Sequence, residues 1–510
     1  MNILQNKNGL LTNLQWSKEA RDNRGMTPFS PSRVLNLEQE MAMQMARVQE
    51  LPTAFLQYLF LRTLREQRKD LYYTLVRANL DVLLPIVYTP TISEPIKRFS
   101  HCYDGTAGIY FSIDQVLELS NLMAMVKAQH PRIDIVIVTD GEGILGIGDW
   151  GIGGSEIVAG KGVVYTVATD IPAERILTVM LDVGTNNSEL LTDPYYLGLR
   201  QKRAFGVEYD DFIGAFIREI QDFYPNALLH WEDFGQKNAS RLLQRYVDLF
   251  SFNDDIQGTG IIVLAALSAA FKRIEANLHA QRIFIFGAGS AGLGIASQIK
   301  DWLIDRGLTT DEANSSFYFF GKDGLISEQK DLAGLSLAEA VATLHPTVLI
   351  GTSTATGAFT KEIVTSMASF CEVPIIFPIS NPTTLAEAQP QDLFDWTDGK
   401  ALVATGSPFA DVIFKEKQHR IAQANNALAY PGLALGAILG GATQIDTGML
   451  SVAAEAIGSF DTRDDTLLPA VSELFDVSMA VAKAVAEYSC GEIWSDAKFE
   501  ERMKHYLENE

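Results

Sequence analysis

A glycine-rich turn between an apolar strand and a helix constrains the fold of this chain more than any other feature. The predicted strand 283–286 is followed by Gly287, Gly289 and Gly292, in the spacing G-x-G-x-x-G. Gly287 allows a tight turn, Gly289 lets the backbone approach a pyrophosphate, and Gly292 lets the helix pack closely on the strand. This context predicts a dinucleotide-binding turn, although the same spacing also occurs in glycine-rich turns that bind nothing.

Alternating strands and helices follow this turn, and its helix begins where phosphates would bind. Backbone N–H groups at a helix start have no intrahelical partner, so Ser290 and Ala291 would contact the cofactor together with the glycines. Four further apolar runs, separated by helical stretches, read FYFF, TVLIGTS, PIIFPISNPT and ALVATGS. Strands joined by helical crossovers predict a doubly wound parallel sheet of the Rossmann type.

The end of the second predicted strand bears on the choice between NAD and NADP. An acidic residue at this point usually contacts the ribose of NAD. The strand at 317–320 is followed instead by Gly321, with Lys322 and Asp323 next. Asp323 suits the ribose of NAD and Lys322 suits the 2′-phosphate of NADP, so we expect NAD and keep NADP as an alternative.

Composition divides the chain into three predicted domains. Residues 1–75 form a helical region, because the stretch 36–82 is rich in Leu, Met, Gln, Glu and Arg, with apolar residues at helical spacing. Residues 76–257 form an α/β domain whose strand-like runs include DIVIVTDGEGILGIG, GVVYTVA and ILTVMLDVGTNN. Residues 258–510 form the Rossmann-type domain and end in helices from about residue 469. The predicted fold class is therefore α/β.

Charge and cysteine content exclude several classes of partner. The 510 residues include 41 Lys and Arg against 63 Asp and Glu, which gives a formal net charge of −22. So acidic a chain is unsuited to nucleic acid or to an anionic membrane surface. The longest apolar run, 261–271, is broken at Ser268 and is too short to cross a bilayer. Three scattered cysteines without a CxxC pair are typical of a reducing compartment, so we expect a cytoplasmic protein.

Two pairs of adjacent acidic residues occur in the second domain. Glu232 and Asp233 follow the apolar strand ALLHW, and Asp254 and Asp255 follow Phe252 and Asn253. Mg²⁺ and Mn²⁺ bind several carboxylate oxygens and leave positions open for the oxygens of a substrate. Adjacent carboxylates at a strand end, together with a third about 22 residues later, can supply such a set. Acidic pairs at strand ends are also commonly solvated or cap a helix, so the spacing alone leaves both interpretations open.

Two further side chains are candidates for proton transfer. Lys161 lies among glycines and apolar residues in EIVAGKGVV, and burial would lower the pKa of a lysine so that it can act as a general base. The alternative is a surface lysine that precedes a strand. Tyr88, in PIVYTP, is either a packed aromatic residue or a proton donor.

Taken in order, these motifs resemble the malic enzyme family over nearly the whole chain from about residue 75. The matching stretches are PIVYTPTI, IVTDGEGILGIGDWG, LDVGTNN, WEDF, FNDDIQGTG, FGAGSAGLGIA, FPISNPT, VATGSPF and AQANNALAYPG. The resemblance implies a helical N-terminal region, a substrate and metal domain, and a Rossmann-type domain, assembled as a homodimer or homotetramer. It also implies an enzyme that oxidises and decarboxylates L-malate with NAD and with Mn²⁺ or Mg²⁺.

The resemblance also assigns a role to each candidate residue. It implies that the metal ligands are Glu232, Asp233 and Asp255. It implies proton transfer by Lys161 as general base, by Asp254 as its assistant and by Tyr88 as general acid. It implies that the nicotinamide region contacts Asn381 and Asn425, and that the substrate contacts Asn381 and Asn426. A bound dication would explain how a protein of charge −22 captures a dianionic substrate.

One departure from the family pattern bears on the product. Most malic enzymes have an arginine after Thr-Asp-Gly-Glu, whereas this chain has Gly143, which removes one clamp for a carboxylate. EGILGIGDWG, LHWEDFG, QGTGI and GTSTATGAFTKE are similar to the malolactic branch, which returns L-lactate, whereas YTPT, LDVGTNN and ATGSPF are similar to ordinary malic enzymes. We expect the malolactic reaction, L-malate to L-lactate and CO₂, with the pyruvate-forming reaction as the alternative.

Two other classes of protein are weaker alternatives. Gly143 and Gly321 are also compatible with a nucleotide-binding regulatory protein whose site has decayed, but the retained lysine, tyrosine and carboxylates argue against it. A metal-free hydroxy-acid dehydrogenase would need a histidine paired with an acidic or basic residue after the Rossmann strands. His345 and His419 do not form such a pattern.

Overall fold

The computed structural model describes residues 13–105, 108–462 and 466–508. The chain divides into two compact units, one up to residue 107 and one from residue 108. The predicted α/β fold class is confirmed, because helices and parallel sheets alternate through the second unit. The domain boundaries expected after residues 75 and 257 stay a prediction.

The first unit is helical, as its sequence predicts. The side chain of Asn36 accepts from the backbone N–H of Gln39, and Gln39 reaches back to the backbone N–H of Asn36, so this pair forms a capping box. Thr53 caps the next helix. Its helices are α1 Lys18–Asn23, α2 Leu37–Glu50, α3 Ala54–Gln67, α4 Lys69–Ala78, α5 Leu80–Val87, α6 Ser93–Lys97 and α7 Phe99–Cys102.

The second unit begins with a sheet of five strands. They are β1 Ile109–Ser112, β2 Ile135–Thr139, β3 Ile176–Asp182, β4 Leu228–Trp231 and β5 Ser251–Asn253. All neighbouring pairs are parallel, in the order β1-β3-β2-β4-β5, so the carboxyl ends of β2, β4 and β5 lie at one edge of the sheet. The helices of this region are α8 Leu119–Gln129, α9 Ser155–Thr169, α10 Ser188–Thr192, α11 Val207–Phe223 and α12 Gln236–Arg245.

One predicted strand of this region is wrong. The run GVVYTVA, residues 162–168, lies within helix α9. Nearly every residue of α9 is buried, so the helix has no polar face and its sequence lacks helical periodicity. A short apolar run rich in valine then has the appearance of a strand, because β-branched residues are enriched there.

A long buried helix leads from the first sheet to the second. After β5 the chain forms a π-helical turn, Asp254–Gly258, which continues into α13 Thr259–Arg273. By length and composition, these 20 residues could cross a membrane. The continuous apolar run 261–271 within them is too short to do so by itself. In the structure 67% of their most apolar window is buried inside the protein, as in the core helix of a folded domain.

The second sheet has the predicted strands and a few short additional ones. In chain order the strands are β6 Ile283–Phe286, β7 Phe317–Gly321, β8 Gly324–Ile326, β9 Val348–Gly351, β10 Ile375–Pro378, β11 Leu402–Thr405, β12 Val412–Phe414, β13 Lys417–His419 and β14 Ala422–Gln423. Seven of them pair in the order β14-β11-β10-β9-β6-β7-β8, and β12 with β13 forms a separate hairpin. Only the β7–β8 pair of the seven is antiparallel. The strand β6 has β7 on one side and β9 on the other, which makes its carboxyl end a topological switch point.

Helices lie between the strands of this sheet and also follow it in the sequence. Those between the strands are α14 Ser290–Asp305, α15 Thr310–Ser315, α16 Leu337–Leu344, α17 Lys361–Phe370 and α18 Pro390–Trp396. Those after the sheet are α19 Tyr430–Leu439, α20 Thr447–Gly458, α21 Leu474–Cys490 and α22 Asp496–Glu508, so the predicted C-terminal helices are confirmed. The central strands β9 and β10 are buried along their whole length, as in a sheet covered on both faces.

Candidate active site

The acidic residues predicted from the sequence meet at the carboxyl edge of the first sheet. Trp231, the last residue of β4, pairs with Asn253, the last residue of β5. Glu232 and Asp233 follow the first strand, and the π-helical turn Asp254–Gly258 follows the second. Adjacent parallel strands that end at the same level therefore bring the two acidic pairs together.

Three of these carboxylates form a compact set. One oxygen from each of Glu232, Asp233 and Asp255 lies within 4.8 Å of the other two. The first two side chains are buried and the third is half-buried. The backbone N–H of Asp233 donates to Asp255 Oδ2 at 2.9 Å, and the backbone N–H of Leu145 donates to Asp233 Oδ2 at 2.9 Å. Backbone donors thus fix two of the three carboxylates in place.

The electrostatics of this set are unfavourable without a cation. Burial is the largest cause that raises the pKa of Glu232, to about 7, and Asp254 adds to this while Lys161 opposes it. Burial and neighbouring carboxylates also raise the pKa of Asp233 and of Asp255 well above the usual range. A divalent cation would remove the repulsion, and clustered carboxylate oxygens are the ligands that Mg²⁺ and Mn²⁺ prefer. The residues present therefore fit the implied metal.

Lys161 lies beside this set, on the buried helix α9. Its Nζ is 3.0 Å from Glu232 Oε2 and also contacts Asp254 Oδ2. It lies 4.5 Å from the ring centroid of Tyr430, over the face of the ring. The lysine is 2% exposed, which excludes the surface lysine that the sequence left open. A buried amine between two carboxylates is placed to exchange protons with them.

Asn426 completes the surroundings of Asp254. Its Nδ2 lies 3.2 Å from the backbone oxygen of Asp254, from Asp254 Oδ2 and from Thr259 Oγ1. Asp254 Oδ1 is buried and has no hydrogen-bond partner among the described residues. The asparagine expected to contact substrate thus lies against the carboxylate expected to assist the base. The neighbouring Asn425 accepts from the backbone N–H of Ala427 at 3.0 Å and is half-buried.

Two buried residues of the site were missed from the sequence. His230, on β4, has Nε2 at 3.0 Å from Glu232 Oε2 and Nδ1 at 2.8 Å from the hydroxyl of Tyr165. Both side chains are fully buried. Burial is the largest cause that lowers the pKa of His230 to about 3, and the nearby Lys161 lowers it further, so the ring is neutral at ordinary pH. The HWED sequence could have suggested His230, because side chains two apart on a strand share a face.

The glycine-rich turn has the geometry that its sequence predicts. Gly287 has φ = 114°, a conformation that strongly favours glycine. A Cβ on Gly292 would lie 2.3 Å from the backbone oxygen of Gly287, so this close approach needs glycine as well. Helix α14 begins at Ser290, and Ala291 follows it in the first turn. The turn lies at the switch point beside β6, where dinucleotides bind in such sheets.

Other predicted cofactor contacts lie on loops of the same unit. Asn381 follows β10, is exposed, and its Oδ1 accepts from Ser407 Oγ at 2.6 Å. Asp323 is exposed in the tight turn between β7 and β8, next to Lys322. The roles given to these residues stay predictions.

Tyr88 belongs to the first unit. It directly follows the last turn of α5 and is buried. Its assignment as a general acid stays a prediction.

The dinucleotide turn and the carboxylate set are neighbours. A Cβ on Gly289 would lie 3.3 Å from Nε2 of Gln236, the first residue of α12. A Cβ on Gly294 would lie 3.1 Å from a methyl carbon of Ile256, in the turn that carries Asp255. Helix α14 therefore packs directly on the turn that follows β5.

Gly143 lies on the other side of the carboxylate set. Its N–H donates to the backbone oxygen of Asp233 at 2.9 Å. A Cβ at this position would lie 2.6 Å from the backbone oxygen of Phe234, closer than carbon and oxygen approach without a bond. A side chain here would displace the backbone that carries Asp233.

Comparison with known proteins gives one family for both halves of the chain. Residues 65–247 match the description "Malic enzyme, N-terminal domain", and residues 256–490 match "Malic enzyme, NAD binding domain". NAD-dependent malic enzyme 3 of Bacillus subtilis is 41% identical over 500 residues, which cover 92% of this chain and 88% of the relative. The malolactic enzyme of Lactiplantibacillus plantarum is 40% identical over 498 residues, which cover 92% of this chain and 90% of the relative.

Solved structures agree on the fold. The malic enzyme of Entamoeba histolytica has a TM-score of 0.55 at 21% identity and covers 95% of this chain and 90% of its own. The malic enzyme of Pyrococcus horikoshii has a TM-score of 0.54 at 21% identity and covers 83% of this chain and 88% of its own.

Proposed function

Because this chain belongs to the malic enzyme family, we propose that it is an NAD-dependent malate-decarboxylating enzyme of the malolactic type. The proposed reaction converts L-malate to L-lactate and CO₂. Its relatives include proteins named NAD-dependent malic enzyme and malolactic enzyme. The observation that carries the catalytic part of the proposal is Lys161, buried between Glu232 and Asp254 beside a second pair of carboxylates.

In this proposal Glu232, Asp233 and Asp255 hold Mn²⁺ or Mg²⁺. When bound, the cation polarises the oxygens of the substrate, and the nicotinamide accepts hydride and returns it. The buried oxygens repel one another, so they favour a dication over a singly charged ion. The glycine-rich turn and the start of α14 hold the pyrophosphate of the dinucleotide.

Lys161 acts on the 2-hydroxyl of malate. It accepts the hydroxyl proton while C2 loses hydride, and Asp254 Oδ2, which contacts Nζ, holds the amine in place for this transfer. CO₂ then leaves from the carboxylate on C3, and Tyr88 donates a proton to C3. When hydride returns to C2, Lys161 gives its proton back to the oxygen. The net reaction consumes one proton and leaves the cofactor unchanged.

Gly143 supports the malolactic type over the pyruvate-forming one. A Cβ on Gly143 would require the backbone at Phe234 to shift, and this favours a site built without the arginine of most malic enzymes. Lactate forms only if bound pyruvate takes hydride back before it leaves. A difference of about 1.4 kcal/mol between the barriers to release and to re-reduction changes the product ratio tenfold, so one lost contact is enough to matter.

The proposal is tested with L-malate deuterated at C2, Mn²⁺ and an amount of NAD⁺ far below that of malate. We expect lactate in an amount equal to the malate consumed, with deuterium retained at C2 and no increase in NADH absorbance. Unlabelled pyruvate added in excess should not dilute the label, because the intermediate stays bound. Accumulation of pyruvate and reduced, deuterated cofactor would instead identify the ordinary malic enzyme reaction.

A matched control excludes conversion of malate by a contaminating protein. The Asp255→Asn variant keeps the size of the side chain and loses one ligand charge. It should form no labelled lactate under the same conditions. Lactate production by this variant at the wild-type rate would contradict the assignment of the site.

NADP is the alternative cofactor, because Lys322 and Asp323 are both exposed where the second Rossmann strand ends. Initial rates with each cofactor decide between them, and we expect a higher kcat/KM with NAD. We also propose that the protein acts in the cytoplasm, which its three free cysteines support, and that it assembles as a homodimer or homotetramer, which light scattering measures.

A further inference from the structure

The ring of His230 is held in one orientation by its surroundings. It packs edge to face against Tyr165, Phe252 and Tyr430, with ring centroids 5.7, 5.5 and 5.4 Å away. Both ring nitrogens have partners, the hydroxyl of Tyr165 at Nδ1 and Glu232 Oε2 at Nε2. Because all of these residues are buried, water cannot replace either partner.

The two partners define which nitrogen carries the proton. A neutral imidazole has one N–H donor and one acceptor nitrogen. An ionised Glu232 can only accept a hydrogen bond, whereas the tyrosine hydroxyl can donate. The tautomer that satisfies both bonds has its proton on Nε2, which donates to Glu232, while Nδ1 accepts a hydrogen bond from the hydroxyl of Tyr165.

We propose that Tyr165 and His230 are positioning residues that hold the Glu232 carboxylate ready for the divalent cation. The proposal rests on the proposed role of Glu232 as a metal ligand. Lys161 Nζ lies 3.0 Å from the same Oε2 and attracts it. The N–H of His230 gives this oxygen a second donor in a fixed position, which holds the carboxylate in its orientation toward Asp233 and Asp255.

Partners of this kind affect metal affinity. Groups that hydrogen-bond to a metal ligand fix its orientation, and replacing them typically costs 10- to 100-fold in affinity or activity. Tyr165→Phe removes only the hydroxyl, after which Nδ1 of His230 has lost its partner and the bond to Glu232 alone orients the ring. His230→Leu removes the donor itself, and His230→Gln retains a side-chain N–H.

The test is the Mn²⁺ affinity of the full-length protein, measured from the electron paramagnetic resonance signal of free Mn²⁺. We expect a roughly tenfold weaker affinity for Tyr165→Phe and a loss of up to about 100-fold for His230→Leu, with His230→Gln close to wild type. NAD⁺ affinity, measured by fluorescence, should not change in any of the three. General damage to the fold would weaken the binding of both ligands.

Tyr224→Phe is the matched control. It also removes the hydroxyl of one buried tyrosine, which donates to the backbone oxygen of His130 at 2.8 Å. His130 precedes the amino end of β2, whereas the carboxylate set lies at the carboxyl edge of the same sheet. Wild-type Mn²⁺ affinity is expected for this variant. If His230→Leu does not fold, wild-type Mn²⁺ affinity in Tyr165→Phe is enough to overturn the proposal.

Two results would overturn the proposal. The first is wild-type Mn²⁺ affinity in both Tyr165→Phe and His230→Leu. The second is an equal loss of affinity in His230→Gln and His230→Leu, which would show that the histidine acts only through its packing. Failure of the proposed function is separate. If the wild type binds Mn²⁺, the three variants follow the expected order and no malate is consumed, the positioning role is supported and the malate reaction is refuted.

Discussion

Removal of the metal should make the stability of this protein fall as the pH rises, and the reason is the repulsion within the carboxylate set. One oxygen each of Glu232, Asp233 and Asp255 lie within 4.8 Å of one another. At that distance two full charges repel by about 3.5 kcal/mol with an effective dielectric constant of about 20. Burial disfavours the charged carboxylates further and raises their pKa. The folded chain therefore binds protons at pH values at which the unfolded chain has released them.

The size of the effect follows from Glu232. Its pKa is raised from 4.5 to about 7, mainly by burial. Because the folded state binds more protons between these two values, stability is greatest below about pH 4.5 and is lost as the pH rises toward 7. A shift of this size corresponds to about 3 kcal/mol. With an unfolding entropy of about 2.1 cal/mol/K per residue, that amounts to about 4 °C in the melting temperature of the second unit.

The measurement is thermal unfolding of EDTA-treated protein between pH 5 and pH 8, with and without Mn²⁺. We expect Mn²⁺ to raise the melting temperature more at pH 8 than at pH 5. The Asp255→Asn variant should melt higher than the wild type at pH 8 without metal, and Mn²⁺ should stabilise it little. A metal-free melting temperature that is constant or rises over this range, or a variant that Mn²⁺ stabilises as much as the wild type, would refute the reasoning.

Three substitutions test other parts of the site. Lys161→Ala should lower kcat about 10²- to 10⁴-fold, the usual contribution of a general base, and leave the NAD⁺ affinity unchanged; a loss confined to NAD⁺ affinity would contradict this role. Gly292→Ala places a Cβ 2.3 Å from the backbone oxygen of Gly287, so calorimetry should show weaker NAD⁺ binding and unchanged Mn²⁺ binding. Gly143→Ala pushes on the backbone oxygen of Phe234, and Mn²⁺ affinity should fall, whereas an unchanged affinity would show that the loop relaxes freely.

The sequence was most informative where the backbone itself restricts the choice of residue. Gly287 and Gly292 could be recognised because their positions exclude a Cβ, and this restriction is visible as a fixed spacing. The strand β4, which precedes Glu232, could be recognised because its run is continuously apolar. The strand β5, which precedes Asp254, is Ser251–Asn253 and is too short and too polar to show the same pattern. That the two acidic pairs meet follows only once β5 is known to lie beside β4.

Helix α9 shows where this kind of prediction stops. An amphipathic helix reveals itself by its polar face, but α9 is covered on all sides, and only its length distinguishes it from a strand. The neighbours of Lys161 therefore could not be predicted, because a lysine before a strand and a lysine inside a buried helix have different surroundings. The two carboxylates beside Nζ of Lys161 are known only from the packing of the second unit.

The contact between Tyr165 and His230 could not be predicted for a different reason. The two residues are 65 positions apart, on a helix and a strand whose packing is known only from the folded chain. A buried tyrosine and a buried histidine are each common as core residues, so neither residue alone marks a site. Their significance appears only through Glu232, which both the histidine and the lysine contact.

The turn Asp254–Gly258 has a consequence for protein engineering. It places Asp254 against Lys161, Asp255 among the carboxylates and Ile256 against α14, while Gln298 of α14 donates to the backbone oxygen of Gln257 at 3.0 Å. A chimera of two relatives that is joined within this turn would combine one parent's carboxylates with the other parent's cofactor helix. Recombination between homologues should therefore exchange the carboxylate set, the turn and α14 as one block, with the crossover placed before β4.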